Sequence, residues 1–302
     1  MMKRVLVFVC LVSMAAVAAQ AGLNRTAVSL GGSDLNPCSL QQPCATFAKA
    51  ISETNPLGEL IALDSGGYAG FTVDRGMTIT AAPGAVVTVG PEPGVTNWAI
   101  KVNAPGKRVS IRGLMVVTAG SYIGIVAHDA DTTYIDDVVI EGSGCDNGCA
   151  AGIFGRKGEV FVNNARIRNT YTGIDHNPMT ASTMTITNSN IDRVVSNGVL
   201  IQNYGKGIVR NTVVSHADRA FSVAALAKDG RPELTLVDCM ATTSNIGVSI
   251  GNAGNFYMER TAVTRNTIGL NNVGGLVVTH TNSMVSGNGT NTVGAMTANS
   301  LL

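Results

Sequence analysis

Apolar and polar residues alternate in short runs along most of this 302-residue chain, and the runs recur in a fixed order. Residues 159–177 read EVFVNNARIRNTYTGIDHN. Val160 and Val162 alternate, Asn163-Asn164 interrupts, a second run ends at Ile167, and Gly173-Ile174 follows a polar turn. The next stretch repeats this with Met184 and Ile186, then Asn188, Ile191 and Gly198-Val199. The apolar residue two before the Asn position is in turn Ile111, Ile135, Val162, Ile186, Val209, Leu236 and Met258, spaced by about 22 to 27 residues. That period marks a solenoid. No helical spacing persists, and Gly or Asn breaks each unit every few residues, so each unit predicts three short strands joined by turns. A unit this short buries nothing alone. Stacking places equivalent residues about 4.8 Å apart, so that inward Val160, Val162, Ile167 and Ile174 form columns with their counterparts.

Asp137, Asn164, Asn188, Asn211 and Asp238 occupy the bend in five successive units, where a short polar side chain takes the tight turn and bonds to its neighbours above and below. This resembles the asparagine ladder of right-handed parallel β-helices of the pectate-lyase type. By that resemblance the run before the Asn is the second strand of a coil, the run after it the third, and the Gly-Ile step opens the first. Arg260 and residues 279–282 depart from the ladder.

Ahead of the coils, residues 45–54 place Phe47, Ala50 and Ile51 on one helical face, with Asn55-Pro56 ending the element. An open solenoid end needs a cover, and this helix is expected to cap it. The opening pattern runs Gly31, Asp34, Asn36, Cys38, Pro43-Cys44, Thr46-Phe47, Ala50-Ile51 and Gly66-Gly67-Tyr68, and the closing one is Ser286-Gly287-Asn288-Gly289-Thr290. Both resemble exported bacterial β-helix proteins of the pectin-lyase-like superfamily. The resemblance implies an all-β, right-handed parallel β-helix with a short N-terminal capping helix, and brings no catalytic signature with it. The expected organisation is a signal peptide over residues 1–21, a cap with its helix over 22–58, and the β-helix over 59–302.

The signal peptide is read from Lys3 and Arg4, the apolar run over residues 5–19 and the small residues Ala19 and Ala21 around Gln20. It predicts a secreted or periplasmic protein. Removing two basic residues from 21 leaves 19 against 20 acidic ones, a mature charge near −1. With no basic run and no further long apolar segment, neither nucleic acid nor a membrane span is expected. Export permits disulfides. Cys38 with Cys44 and Cys145 with Cys149 have spacings that suit local links, and no His or Cys accompanies either pair to make a zinc site. Cys239 is left over as a buried free thiol.

The hydrolases and lyases of this scaffold need recognisable constellations. A polygalacturonase-like site calls for paired carboxylates with Gly-His-Gly and Arg-Ile-Lys nearby, of which only Asp136-Asp137 is present, with Asp137 already in the ladder. A pectate-lyase-like site calls for several carboxylates around calcium and a nearby Arg. One Asp lies on the relevant face, so calcium enters only under that alternative and no cofactor is otherwise expected.

Alternation locates this face. If Ile125, Ile153, Ile174, Val199, Phe221, Val248 and Leu270 point inward, then Val126, Phe154, Asp175, Leu200, Ser222, Ser249 and Asn271 point outward. His128, Phe154, Arg156, Asp175, Asn177 and Gln202 would form a sugar-binding patch, or else a solvated sheet face with Asp175 paired to Arg156. His176 is either a hydrogen-bonded core histidine or an acid-base partner of Asp175. Arg168, Asp192-Arg193, His216, Asp218-Arg219 and Arg265 lie in turns leading to the first strand, and either wall the groove for acidic sugars or pair on a solvated edge. Two functions follow. One is a non-enzymatic binder of an extracellular or cell-surface polysaccharide. The other is a polysaccharide lyase, hydrolase or epimerase acting on an acidic glycan, its catalytic residues drawn from Asp175, His176, Arg193, His216, Asp218 and Arg219.

Overall fold

The computed structural model describes residues 22–91, 97–119, 123–143, 151–226, 228–280 and 282–299. The chain winds as a parallel β-helix, with three strands per coil stacked into three sheets, and every strand pairing among the described residues is parallel. The first sheet descends from Phe71–Val73 through Ala151–Gly155, Thr172–His176, Asn197–Gln202, Arg219–Ala224, Ile246–Ile250 and Ile268–Asn272. The second includes Glu159–Asn163, Ser182–Thr187, Gly205–Arg210, Glu233–Val237 and Asn255–Glu259. The third is built of shorter strands such as Arg166–Arg168, Asn190–Asp192 and Val213–Ser215. In two upper coils the bend between the first and second sheets is smoothed into one long strand, Trp98–Arg112 and Ile123–Asp136.

The register is the one that alternation predicts. Ile125, Ile153, Ile174, Val199, Phe221, Val248 and Leu270 pair in sequence down the first sheet. Ile111, Ile135, Val162, Ile186, Val209, Leu236 and Met258 do so down the second. All of them are buried, and with Ile140, Ile167, Ile191 and Val214 of the third sheet they fill the interior. A core made of columns leaves no slack: a one-residue slip in any strand would turn its apolar set to solvent.

The upper end is closed by the short helix Phe47–Glu53, whose Phe47, Ala50 and Ile51 are buried. Thr46 caps it, its side-chain oxygen accepting from Lys49 N at 3.2 Å. Asp34 in turn accepts from the backbone N of Ala45 (2.9 Å) and Thr46 (3.0 Å), and Asn36 donates to the Pro43 carbonyl at 2.8 Å. Phe47 stacks on Phe71 with ring centres 4.4 Å apart. The opening motif is therefore the framework of a cap. Cys38 and Cys44 are disulfide-bonded, with Cα atoms 4.6 Å apart. The strand Leu23–Val28 lies above the helix's own coil and pairs with Thr54–Ala62 in the second sheet. Cys145, Cys149 and the expected signal peptide lie outside the described residues. Among the described residues no helix is long and apolar enough to cross a membrane.

The bend after the second sheet holds the coils in step. Asp137, Asn164, Asn188, Asn211 and Asp238 all have φ between 46° and 54°, the left-handed region that Asn and Asp tolerate best among residues with a side chain. Asn164 Nδ2 donates to Asp137 Oδ1 at 2.7 Å and Asn211 Nδ2 to Asn188 Oδ1 at 2.9 Å, whereas Asn188 reaches Asn163 Oδ1 at 2.8 Å. At the lower end Arg260 takes the same conformation and continues the column by another chemistry, its guanidinium bonding both oxygens of Asp238 at 2.8 and 3.0 Å.

A second polar column stands one residue further on, inside the wall. Ser189, Thr212 and Thr261 donate their hydroxyls to the carbonyl two residues back, at 2.8 to 2.9 Å. Ser189 and Thr261 accept from the backbone N of the preceding coil, at Ala165 (3.2 Å) and Cys239 (3.2 Å). Cys239 fills the same slot as a buried free thiol, its Sγ 3.3 Å from the Val237 carbonyl and 3.4 Å from that of Val209, and burial raises its pKa to about 11. It stands where its neighbours carry hydroxyls. Cys239→Ser is therefore expected to change the unfolding free energy in urea by less than about 1 kcal/mol, whereas Cys239→Val, which removes the donor, should cost about 1 to 2 kcal/mol. The reverse order would show the slot to be apolar.

Candidate functional site

The outward row of the first sheet reads Lys101, Val126, Phe154, Asp175, Leu200, Ser222, Ser249 and Asn271 from top to bottom, one residue per coil. Two depressions of about 430 and 310 Å³ lie along it, and Phe154 lines both. The first is bounded by Arg156, Asn177, Met179 and Tyr204, the second by Tyr171, Asp175, Asn197 and Leu200. A third, also of about 310 Å³, continues downward past Gln202 and Ser222 to Ser249. Together they make a shallow groove parallel to the solenoid axis.

Asp175 sits at its centre, half-buried between Phe154 above and Leu200 below. Its Oδ1 accepts one hydrogen bond, from Gln202 Nε2 at 2.8 Å, and Gln202 itself is buried. Burial among apolar neighbours pushes the Asp175 carboxyl up to about 6, and the Gln202 bond only partly offsets this. No ion pair joins it to Arg156. That guanidinium lies 5.9 Å from the Phe154 ring centre and directs a nitrogen to Met179 Sδ at 3.4 Å. The ordinary solvated pair that the sequence also allowed is thus replaced by an unneutralised, partly desolvated acid in one depression and an arginine in the other, with Phe154 shared between them.

The other expected members of the patch are placed as follows. Asn177 accepts from Asn203 Nδ2 at 2.6 Å at the rim of the upper depression. His128 stands higher, exposed, at a break in register between the first and second sheets, and bonds Asn103 Oδ1 through Nδ1 at 3.0 Å. Partial burial lowers its pKa, helped by Lys101, Arg156 and Lys157, so the imidazole is neutral near pH 7. His176 is not in the groove at all. Adjacent strand residues face opposite ways, and its ring lies fully buried in the core, with Nε2 3.1 Å from the Ser182 carbonyl. The room for it comes from glycine: a β-carbon on Gly155 would meet its Nδ1 at 2.8 Å, and one on Gly205 its Cδ2 at the same distance. Burial lowers the His176 pKa and holds the ring neutral.

The polar turns do not form one wall. Asp218 and Arg219 pair loosely at 3.7 Å, and Arg219 borders the lower part of the groove. Arg193 and His216 turn towards the third sheet, both bonded to Asp192, at 3.1 and 2.8 Å. Burial opposes the Asp192 charge, but the His216 and Ser215 bonds and the Arg193 charge outweigh it and lower its pKa. Tyr171, Met179, Asn203 and Tyr204 line the groove and were missed by alternation, because they sit in turns before and after the strands, where the period-two rule says nothing. The pairing of a Tyr with the Gly-Ile step in TYTGI and the QNYG turn were the available signals.

No second carboxylate shares the outward row with Asp175, whereas glycoside hydrolysis needs two at about 5 to 9.5 Å. Among the described residues no three His, Cys, Asp or Glu side chains are grouped so as to hold a metal ion. The arrangement can stack a sugar ring, read hydroxyls with amides, and give or take one proton near neutral pH.

In fold the chain is similar to a rhamnogalacturonan lyase, at 12% identity and a TM-score of 0.65, over 88% of this chain and 83% of that one. A pectate lyase, Pel9A, aligns at 13% identity and 0.45 over 93% and 75%, and XylC in complex with xylose at 8% and 0.47 over 86% and 70%. Neither a protein-family model nor a curated protein matches the sequence. The first likeness, with the geometry above, shows the fold: a parallel β-helix like that of the rhamnogalacturonan lyase.

A rise from 3.8 to about 6 means that ionised Asp175 costs the folded state about 3 kcal/mol at neutral pH. Because its folded pKa lies above the unfolded one, Asp175 is compatible with full stability below about pH 4, and the loss develops as pH rises through 6. Asp175→Asn keeps an acceptor for Gln202 and should raise the unfolding free energy at pH 8 by up to about 3 kcal/mol, the gain disappearing near pH 4. A variant destabilised at pH 8 would show the carboxylate to be structural.

Proposed function

We propose that this protein is exported and binds a polysaccharide along the groove of its first sheet. The observation that carries the reading is Phe154, whose ring is shared by two adjoining depressions edged by Tyr171 and Tyr204. Sugars present C–H faces to aromatic rings and hydroxyls to planar polar groups, and both kinds of partner converge here. The coil repeat of about 4.8 Å is close to one sugar unit, so a chain lying along the axis meets a new row of side chains at each residue. The Cys38–Cys44 disulfide supports a location outside the cytoplasm, secreted or periplasmic. The desolvated Asp175 supports a site, since a half-buried carboxyl with one hydrogen bond is expensive to keep without a use.

One stacked ring and a few exposed hydrogen bonds give weak affinity per site, about millimolar to high micromolar, rising with oligomer length. Binding of plant and bacterial cell-surface oligosaccharides by calorimetry tests this. Phe154→Ala and Arg156→Ala should weaken a ligand at least several-fold, while Ser249→Ala does not; equal binding by all three would remove the site from this face.

A second reading is favoured by one specific observation, the half-buried Asp175 carboxyl with a single hydrogen bond, whose pKa burial raises to about 6. It suits a group that exchanges a proton with substrate, as in a lyase or epimerase acting next to a uronate carboxyl, with Arg156 supplying positive charge on the far side of Phe154. Incubation with uronate polymers separates the two readings: new ultraviolet absorbance that vanishes in Asp175→Asn supports an enzyme, and binding without product supports a lectin-like module.

A further inference from the structure

The outer face of the third sheet carries a depression of about 570 Å³, larger than either one at Phe154, and Arg166, Arg168, Arg193 and Asn190 line it. Arg166 and Arg168 project from the same face of one strand, about 7 Å apart, and pair in register with Asn190 and Asp192 of the coil below. Two like charges so placed repel, so their surroundings must compensate. Both nearby acids are already engaged. Glu141 takes Arg168 Nε on one oxygen and Asn169 Nδ2 on the other. Asp192 takes Ser215 Oγ at 2.7 Å and His216 Nδ1 at 2.8 Å on one oxygen, and Arg193 Nε at 3.1 Å on the other. Each acid therefore holds its arginine by Nε, and among the described residues no carboxylate bonds the outer guanidinium nitrogens of Arg168 or Arg193. Among the described residues no side chain pairs with Arg166.

Three guanidinium forks against two engaged carboxylates leave an excess positive charge in one concavity. Guanidinium matches a tetrahedral oxyanion with paired N–H donors better than it matches anything neutral. Elsewhere the outward strand positions of this sheet, such as Val139, Glu141, Val213, Ser215, Met240 and Thr242, carry no cation, so the cations are confined to two coils. Such a patch spans about 10 Å, enough for one or two charged groups and too little to follow a nucleic-acid backbone. Val139 at its edge offers an apolar contact suited to a sugar ring.

We propose that this depression is a second binding site, separate from the first-sheet groove, for a saccharide chain bearing sulfate or phosphate esters, held between Arg166, Arg168 and Arg193. The test uses the intact protein and calorimetry at about 50 mM salt with four probes: dextran sulfate, phosphorylated dextran, neutral dextran and inorganic phosphate. Binding of one or both esterified dextrans, weakened at least five-fold by Arg166→Ala, partly kept by Arg166→Lys, and unaffected by Thr242→Ala, is the expected result, and the stronger of the two identifies the ester. Arg166 makes no ion pair, so its replacement should leave the melting temperature unchanged, which makes the comparison clean. The proposal is overturned by no binding of either ester, by neutral dextran binding as well, or by inorganic phosphate binding as tightly as the esterified chain, an adventitious ion only. It is equally overturned if a single-stranded oligonucleotide displaces the dextran at lower concentration, or if Phe154→Ala rather than Arg166→Ala abolishes binding.

Discussion

Each coil of this protein can bury its apolar residues only against the coils above and below, so everything depends on keeping adjacent coils in register. The left-handed bend after the second sheet is where that register is held. A β-carbon there is disfavoured by about 1 to 2 kcal/mol, which restricts the position to residues that recover the loss locally. Asp137, Asn164, Asn188, Asn211 and Asp238 recover it by side-chain bonds between coils, and Arg260 by gripping Asp238 with two nitrogens. The hydroxyl column of Ser189, Thr212 and Thr261 does the same for the backbone just inside. Polar residues thus set the phase, and the apolar columns supply the free energy.

That division explains why so much of the architecture was legible beforehand. Period-two alternation and the recurrent Asn assigned the inward residues of the first and second sheets one by one, and the pairing of Ile153 with Ile174 and of Val162 with Ile186 follows that assignment. The capping helix and the Cys38–Cys44 link were readable for the same reason, since both are local in sequence. What local pattern does not carry is anything that depends on the path of turns. Tyr171 and Tyr204 enter the groove from turns, Arg193 and His216 turn away to the third sheet, and Asp175 bonds Gln202 one coil below instead of Arg156 one coil above. The hydroxyl column escaped notice because Ser, Thr, Ala and Cys alternate in it with no common letter.

A rigid stack also dictates where chemistry can be placed. Inward positions are filled by columns, so a polar inward residue such as His176 needs glycines on neighbouring coils to make room, and is thereby locked away from any ligand. Outward positions are freer to vary coil by coil, because none of them fills the core columns. Phe154, Asp175 and Leu200 are successive letters of one such column, and Arg166 and Asn190 of another. The scaffold can therefore carry grooves of different character on two faces.

The two faces differ in how they treat charge. On the third sheet Glu141 and Asp192 are both engaged by donors, those on Asp192 lowering its pKa, so that the surplus charge there is cationic. On the first sheet the single carboxyl is left short of donors beside an aromatic ring, which raises its pKa and destabilises the fold when ionised. A solenoid has ample exposed surface on which an acid could be solvated at no cost. That Asp175 is instead flanked by Phe154 and Leu200 places a strain of about 3 kcal/mol in a groove also lined by three aromatic rings, and a ligand that covers this row by donating a hydroxyl to Asp175 would relieve it. For such a ligand the favourable step would be the completion of a hydrogen-bond set that folding leaves unfinished.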